Sequence, residues 1–157
     1  MKKLVLLFLL LSVSFSKAQW KGTTSNDDQR TMMIQRHMDL YPKNDQSQLK
    51  NIFNDGATIN VNGTEISPED LANFEQMHHK IFQGITFQIG ANITSKYENG
   101  QIWTHVWAWW SGEGKKSKKA ATIPVHLAFN WDGMKSNRAF FMFDPTFINN
   151  EVALNED

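Results

Sequence analysis

Three side chains in the C-terminal half of the chain have the chemistry for proton transfer: His105, His126 and Asp144. Histidine titrates near neutral pH, so it can act as a base or as a hydrogen-bond donor. A histidine paired with an aspartate is a workable acid–base unit. We therefore predict His126, together with His105 and Asp144, as the catalytic candidates of this sequence.

Aromatic and β-branched residues surround these candidates in three runs separated by polar, glycine-containing breaks. Such runs predict three consecutive antiparallel strands. An even-length loop over 112–119 would set His105 opposite His126, and a three-residue turn over 132–134 would bring Asp144 onto the same face. The same alternation gathers the predicted ligand-binding residues of that face: Trp103, Trp107, Trp109 and Met142.

Two interpretations of this mixed face remain open. An aromatic surface with a few convergent polar groups is typical of a ligand pocket. The alternative is an outer face whose tryptophans are buried against a second subunit. An odd-length loop would exchange the two faces of the strands.

Tyr41 and His78 are two further ligand-binding candidates, from the predicted helices. Tyr41 could present a phenol to a pocket or simply pack a helix end against the sheet. His78 lies on the apolar stripe of its helix, so it is either a buried core residue or a functional group close to His126 or Asp144.

We expect no metal and no cofactor. Zinc held by His78, His105 and His126 is the one metal site considered, but no HxH or HxxxH spacing supports it.

The elements that position these residues form the order helix, helix, short strand, helix and four long strands. The first helix ends at Pro42, and the second is short and carries Leu49 and Ile52. The third has a strong start at Ser67-Pro68, with a cap residue followed by proline at the first helical position. Strands are predicted over 57–61 and 85–94.

Residues 1–18 have the pattern of a secretory signal peptide: two lysines, an apolar run and a small residue at Ala18. Cleavage there would release a protein that begins at Gln19, with 19–25 as a flexible lead-in and 26–157 as a single domain. We therefore expect a secreted protein, periplasmic or extracellular. The mature chain would keep 13 basic and 16 acidic residues, so nothing favours a nucleic-acid or membrane partner. With no cysteine, its stability must come from packing.

A resemblance to a known family rests on three features of the sequence. They are the order of the elements, the motif F-x-D-x-A-T over 53–58 and the C-terminal motif P-V-H-L-A-F-N-W-D-G-M-K…F-F-M-F-D. Together they resemble the SnoaL-like domains of the nuclear transport factor 2-like superfamily, over essentially the whole mature chain. The resemblance implies an α+β cone, in which a strongly curved antiparallel sheet wraps around three N-terminal helices. It also implies a pocket at the open end and, often, a homodimer.

Members of this superfamily include polyketide cyclases, ketosteroid isomerase, dehydratases and non-catalytic binding proteins. Aligned on Pro124, His126 stands where the isomerase carries a hydrogen-bond-donating acid. The proton-transferring aspartate of the isomerase, however, is replaced here by Asn60-Val61, so that reaction is not expected.

The resulting expectation is a secreted small-molecule pocket protein that binds an apolar ligand or performs acid–base chemistry on it. The alternative is a non-catalytic dimeric scaffold that uses the tryptophan-rich sheet face. Fold alone does not choose between them.

Overall fold

The computed structural model describes residues 21–156. The predicted signal peptide at 1–18 therefore lies outside the described residues. The elements, in chain order, are β1 (Gly22–Ser25), α1 (Gln29–Leu40), a 3-10 turn (Tyr41–Lys43), α2 (Leu49–Ile52), β2 (Phe53–Val61), β3 (Thr64–Ile66), α3 (Pro68–Ile81), β4 (Phe82–Tyr97), β5 (Ile102–Gly114), β6 (Ala120–Asp132), β7 (Lys135–Phe143) and α4 (Thr146–Glu156).

The strands form one curved sheet in the order β1-β4-β5-β6-β7-β2-β3. All neighbours pair antiparallel except β2 and β7, which run parallel. The α+β cone predicted from the sequence is therefore confirmed, with a mixed rather than a purely antiparallel sheet. The helix-facing side of the sheet is called the concave face below, and the opposite side the convex face.

Helix α3 begins as the sequence predicts. The Ser67 hydroxyl accepts a hydrogen bond from the Asp70 amide, and the Asp70 carboxylate accepts one from the Ser67 amide. Pro68 occupies the first turn, where its missing N–H leaves no intrahelical bond unmade. Because these contacts are local, they fix the start of α3 and hence the positions of the side chains that follow.

Two parts of the predicted organisation are wrong. Residues 22–25 are not a flexible lead-in but strand β1, which pairs with residues 94–97 of β4. The strand forms because β4 extends to Tyr97 and offers an unpaired edge, which the short polar sequence of β1 does not reveal. Helix α4, at the other end, carries only a weak apolar periodicity and was not predicted.

Helix α4 is anchored to the lysine-rich β5–β6 loop by Glu151, which is almost fully buried. Its carboxylate accepts hydrogen bonds from the backbone amides of Lys116 (2.7 Å) and Ser117 (3.3 Å). A Cβ at Gly114 would overlap this carboxylate, so any larger residue there would have to displace the Glu151 side chain. The anchored helix packs Phe147 against Phe82, with ring centroids 5.5 Å apart.

The core lies between the concave face and the helices. Its fully buried members include Ile34, Ile52, Ile59, Leu71, Phe129 and Ala139. Part of it is polar but satisfied: Trp131 donates to the hydroxyl of Thr104 at 2.8 Å, and Thr104 is hydrogen-bonded to Thr94 at 2.7 Å. Among residues 21–156, no helix is long and apolar enough to cross a membrane.

Candidate functional site

A cavity of about 60 Å³ lies between α3 and the concave face of the sheet. Aromatic and aliphatic side chains make up most of its wall, with contributions from α1, α3, α4 and strands β4 to β7. Its lining residues are Met38, Tyr41, Leu71, Phe74, Glu75, His78, Phe87, Trp110, Ile123, Val125, Leu127, Phe141, Phe143 and Ile148.

A chain of hydrogen bonds joins three of the lining residues. The indole N–H of Trp110 donates to the hydroxyl oxygen of Tyr41 at 2.8 Å, and this hydroxyl lies 2.7 Å from Nδ1 of His78. The indole of Trp110 can only donate, so Nδ1 of His78 is the acceptor available to the buried proton of the tyrosine hydroxyl. This arrangement leaves no donor or acceptor of the hydrogen-bond chain unpaired except the second ring nitrogen of His78, and it places the imidazole proton of a neutral His78 on Nε2.

Burial keeps both titratable members of this chain neutral. Desolvation, reinforced by the neighbouring His79, lowers the pKa of His78 to about 3. Desolvation, opposed by the Trp110 hydrogen bond, raises the pKa of Tyr41. At neutral pH, His78 is therefore a hydrogen-bond donor through Nε2–H rather than a cation.

Glu75 lies one turn before His78 on the same face of α3 and is 6% exposed. Its Oε1 lies 3.0 Å from Nε2 of His37, which is almost fully buried. Glu75 Oε2 and His78 Nε2 are both buried, and neither has a hydrogen-bond partner among residues 21–156. Buried polar atoms without partners are costly, so a polar group that reached these two atoms would stabilise this part of the wall.

The structure brings two of the predicted ligand-binding residues, Tyr41 and His78, into this wall. Sequence reasoning missed Glu75 and Trp110. The position of Glu75, three residues before His78 on a helix whose start was correctly predicted, could have indicated that the two share a face. Trp110 was assigned by alternation to the face opposite His105, but no local signal shows which face is concave.

The predicted pairing of His105 with His126 is wrong by two residues. Trp107 pairs with His126, and His105 pairs with Ala128. The shift is an even number of residues, so the predicted grouping of side chains on one face survives. That face, however, is the convex one, and neither histidine lines the cavity.

Seven side chains of this convex face form what we call the convex aromatic patch: Trp103, His105, Trp107, Trp109, His126, Phe140 and Met142. The His126 ring lies parallel to Trp107 at 4.9 Å and to His105 at 5.7 Å. Trp107 and Trp109 are each 44% exposed, and Met142 is 45% exposed. Burial lowers the pKa of both histidines, and for His105 the neighbouring His126 adds to the effect.

Asp144 does not join either histidine. Its Oδ1 accepts hydrogen bonds from the amide of Thr146 at 2.9 Å and from the hydroxyl of Thr146 at 2.6 Å, at the start of α4. These bonds lower the pKa of the exposed carboxyl. Strand β7 ends at Phe143, so the alternation that predicted a shared face stops one residue too early to include Asp144.

His78 faces the cavity, whereas His105 and His126 lie on the opposite face of the sheet, so the three cannot share one zinc ion. Across the part of the chain that the structure describes, no group of three or more histidine, cysteine or acidic residues could hold a metal.

The sequence matches no protein-family model and no curated protein. The structure, in contrast, resembles many solved proteins. A SnoaL-like polyketide cyclase from Agrobacterium tumefaciens superposes with a TM-score of 0.57 at 9% identity, covering 80% of this chain and 98% of the other. IdmH from Streptomyces antibioticus, a candidate polyketide cyclase, superposes with a TM-score of 0.61 at 11% identity. The match covers 80% of this chain and 99% of the other.

A protein from Catenulispora acidiphila with a ketosteroid isomerase-like fold, in complex with trimethylamine, gives a TM-score of 0.56 at 11% identity over 70% of this chain and 83% of the other. The chain therefore has the nuclear transport factor 2-like fold, in the form shared by SnoaL-like proteins, and the predicted resemblance is confirmed for the fold. At these identities the likeness says nothing about the reaction.

Proposed function

We propose that this protein binds a small, largely apolar molecule in the cavity and acts on it through Tyr41, His78 and Glu75. The observation that carries the proposal is the pair of unpartnered buried atoms, His78 Nε2 and Glu75 Oε2, in an otherwise apolar wall. A polar group of the ligand would satisfy both atoms. The SnoaL-like fold of the chain agrees with a small-molecule pocket.

The chemistry available to this wall is a fixed donor beside a carboxylate. A neutral imidazole N–H polarises an oxygen without needing a proton from solvent, while the carboxylate can accept one. Positioned acid–base groups of this kind contribute about 10²–10⁴-fold to rates where a reaction is catalysed. Ligand pockets commonly measure about 300–1,000 Å³, so a cavity of about 60 Å³ favours a small ligand or side chains that move apart on binding.

The catalytic role predicted for His126, His105 and Asp144 stays a prediction. Neither histidine lines the cavity and Asp144 is occupied with Thr146, so the proposal does not rely on them.

Substitution of His78 and of His126 separates a ligand site in the cavity from a ligand site on the convex face. We expect His78→Leu to weaken ligand responses in a thermal-shift screen of small alcohols, ketones and amines, because a lost donor in a dry site costs about 1–3 kcal/mol of binding. His126→Leu is the matched control and is expected to keep every response. Responses lost in His126→Leu but kept in His78→Leu would contradict the proposal and favour the convex face as the site.

We also propose that the protein forms a homodimer through the convex aromatic patch. Exposed, contiguous apolar surface of this kind marks protein interfaces, and half-exposed tryptophans become fully desolvated anchors when a partner covers them. A dimeric scaffold without catalysis, the alternative considered from the sequence, would need this patch and not the cavity.

Trp107→Glu is expected to convert the dimer to a monomer, because it places a charge at the centre of the patch. Truncating a central interface tryptophan typically costs about 2 kcal/mol or more, and sedimentation velocity measures the change. Met32→Glu is the control, since Met32 is 54% exposed on α1, away from the patch. Equal sedimentation of wild type and Trp107→Glu would show that the patch is not a dimer interface.

We further propose that the protein is secreted, periplasmic or extracellular, on the pattern of residues 1–18. The exported chain is expected to begin at Gln19. Intact-mass measurement of exported material would show loss of residues 1–18, and retention of this segment would contradict the proposal.

A further inference from the structure

We infer that the cavity selects a ligand with a hydroxyl group, held between Nε2 of His78 and Oε2 of Glu75. The inference rests on the proposed function and adds the chemical class of the ligand. It follows from the hydrogen-bonding sense of the two unpartnered atoms, which the surrounding contacts fix.

His78 is the donor of the pair. Trp110 donates to Tyr41, Tyr41 donates to Nδ1 of His78, and the remaining imidazole proton is therefore on Nε2. Rotation of the tyrosine hydroxyl cannot reverse this order without leaving its own buried proton without an acceptor.

Glu75 is the acceptor. In this inference Glu75 acts as a carboxylate, whose oxygens accept, and Nε2 of His37 donates to Oε1. Oε2 has no partner and remains an acceptor on a side chain that lines the cavity.

The two atoms lie on side chains three residues apart on α3, and such neighbours have Cβ atoms about 5–6 Å apart. A ligand oxygen placed between the two side chains would contact both. A hydroxyl accepts from His78 N–H and donates to Glu75 in the same position, so a single group satisfies the whole polar part of the wall.

Other ligand classes satisfy only half of it. A ketone or aldehyde accepts from His78 but gives Glu75 no proton. An alkylammonium ion pairs with Glu75 but faces the N–H of His78 with a like partial charge. A carboxylate ligand meets the charge of Glu75 directly. Each of these ligands leaves one buried polar group without a partner or next to a like charge. A polar site is selective because such mismatches weaken binding.

Four ligands built on one ring test this order: cyclopentanol, cyclopentanone, cyclopentylammonium and cyclopentanecarboxylate. Each is titrated at pH 7.5 into the full mature chain, with binding followed by protein NMR shifts. We expect cyclopentanol to bind at least about fivefold more tightly than cyclopentanone, since an unpaired buried acceptor is costly, and the carboxylate to bind most weakly.

Glu75→Gln adds a test of the acceptor, because an amide can donate to a ketone as well as accept. The variant is expected to lose the preference for the alcohol or to reverse it. Glu65→Gln, an exposed position on β3, is the matched control and should keep the wild-type order.

The outcomes separate the inference from the function on which it rests. Tighter binding of the ketone or of the ammonium ion by the wild type would overturn the hydroxyl inference while leaving a ligand pocket in place. Binding of none of the four would overturn the pocket itself. An unchanged alcohol preference in a folded Glu75→Gln variant would show that Glu75 is not the acceptor. If that variant does not fold, the order in which the wild type binds the four ligands tests the hydroxyl inference.

Discussion

Lowering the pH from 6.5 to 4 is expected to destabilise the protein by about 3 kcal/mol through His78 alone. The folded-state pKa of His78 is depressed to about 3, whereas an unfolded histidine titrates near 6.5. Between these values the unfolded chain binds a proton that the folded chain does not bind. Stability is therefore full above pH 6.5 and falls by about 1.4 kcal/mol per pH unit below it.

Urea denaturation at pH 7, 5.5 and 4 measures this effect. His78→Gln removes the titrating group, so its stability should fall less steeply with acidification than that of the wild type. Other titrating groups contribute equally to both proteins and cancel in the comparison. Identical slopes for wild type and His78→Gln would show that His78 is not buried in its neutral form.

The second large effect is expected from Tyr41→Phe, which removes a single oxygen atom. The tyrosine is 4% exposed, and its hydroxyl serves both the indole N–H of Trp110 and Nδ1 of His78. Without it, two buried polar groups lose their partner, at about 1–3 kcal/mol each. We expect a loss of about 2–6 kcal/mol in the free energy of unfolding, measured by urea denaturation.

Tyr41→Phe should also weaken ligand binding, because the imidazole of His78 is no longer held in one tautomer and orientation. Trp131→Phe is the matched control: it removes a buried hydrogen bond of the same length, to Thr104, that lies outside the cavity wall. The control should be destabilised but should bind ligands as the wild type does. A Tyr41→Phe protein as stable as the wild type would contradict the hydrogen-bond chain.

Much of the secondary structure could be predicted because its signals are local. The Ser67-Pro68 start of α3 depends on contacts within one turn, and the three long C-terminal strands follow from their aromatic and β-branched runs. Strand β1 and helix α4 were missed for the same reason. The first exists because β4 offers it an edge, and the second because Glu151 is held by a loop 34 residues away in sequence.

The candidate site was predicted only in part. Tyr41 and His78 were named, yet the partners that give them a role, Trp110 and Glu75, were not. The hydrogen bond from Trp110 to Tyr41 joins residues 69 positions apart in the sequence. The spacing of neighbouring residues does not predict a contact of that range.

The sequence by itself determined which side chains share a face of the sheet. Alternation has a period of two, so His105, Trp107 and His126 stay together even though the register is two residues from the predicted one. It could not determine which face becomes the inside of the cone. The packing of α1, α3 and α4 decided it, since these helices cover the face of Trp110 and leave His126 on the outside. The burial of a side chain depends on how the sheet and the helices assemble, and no single strand determines it.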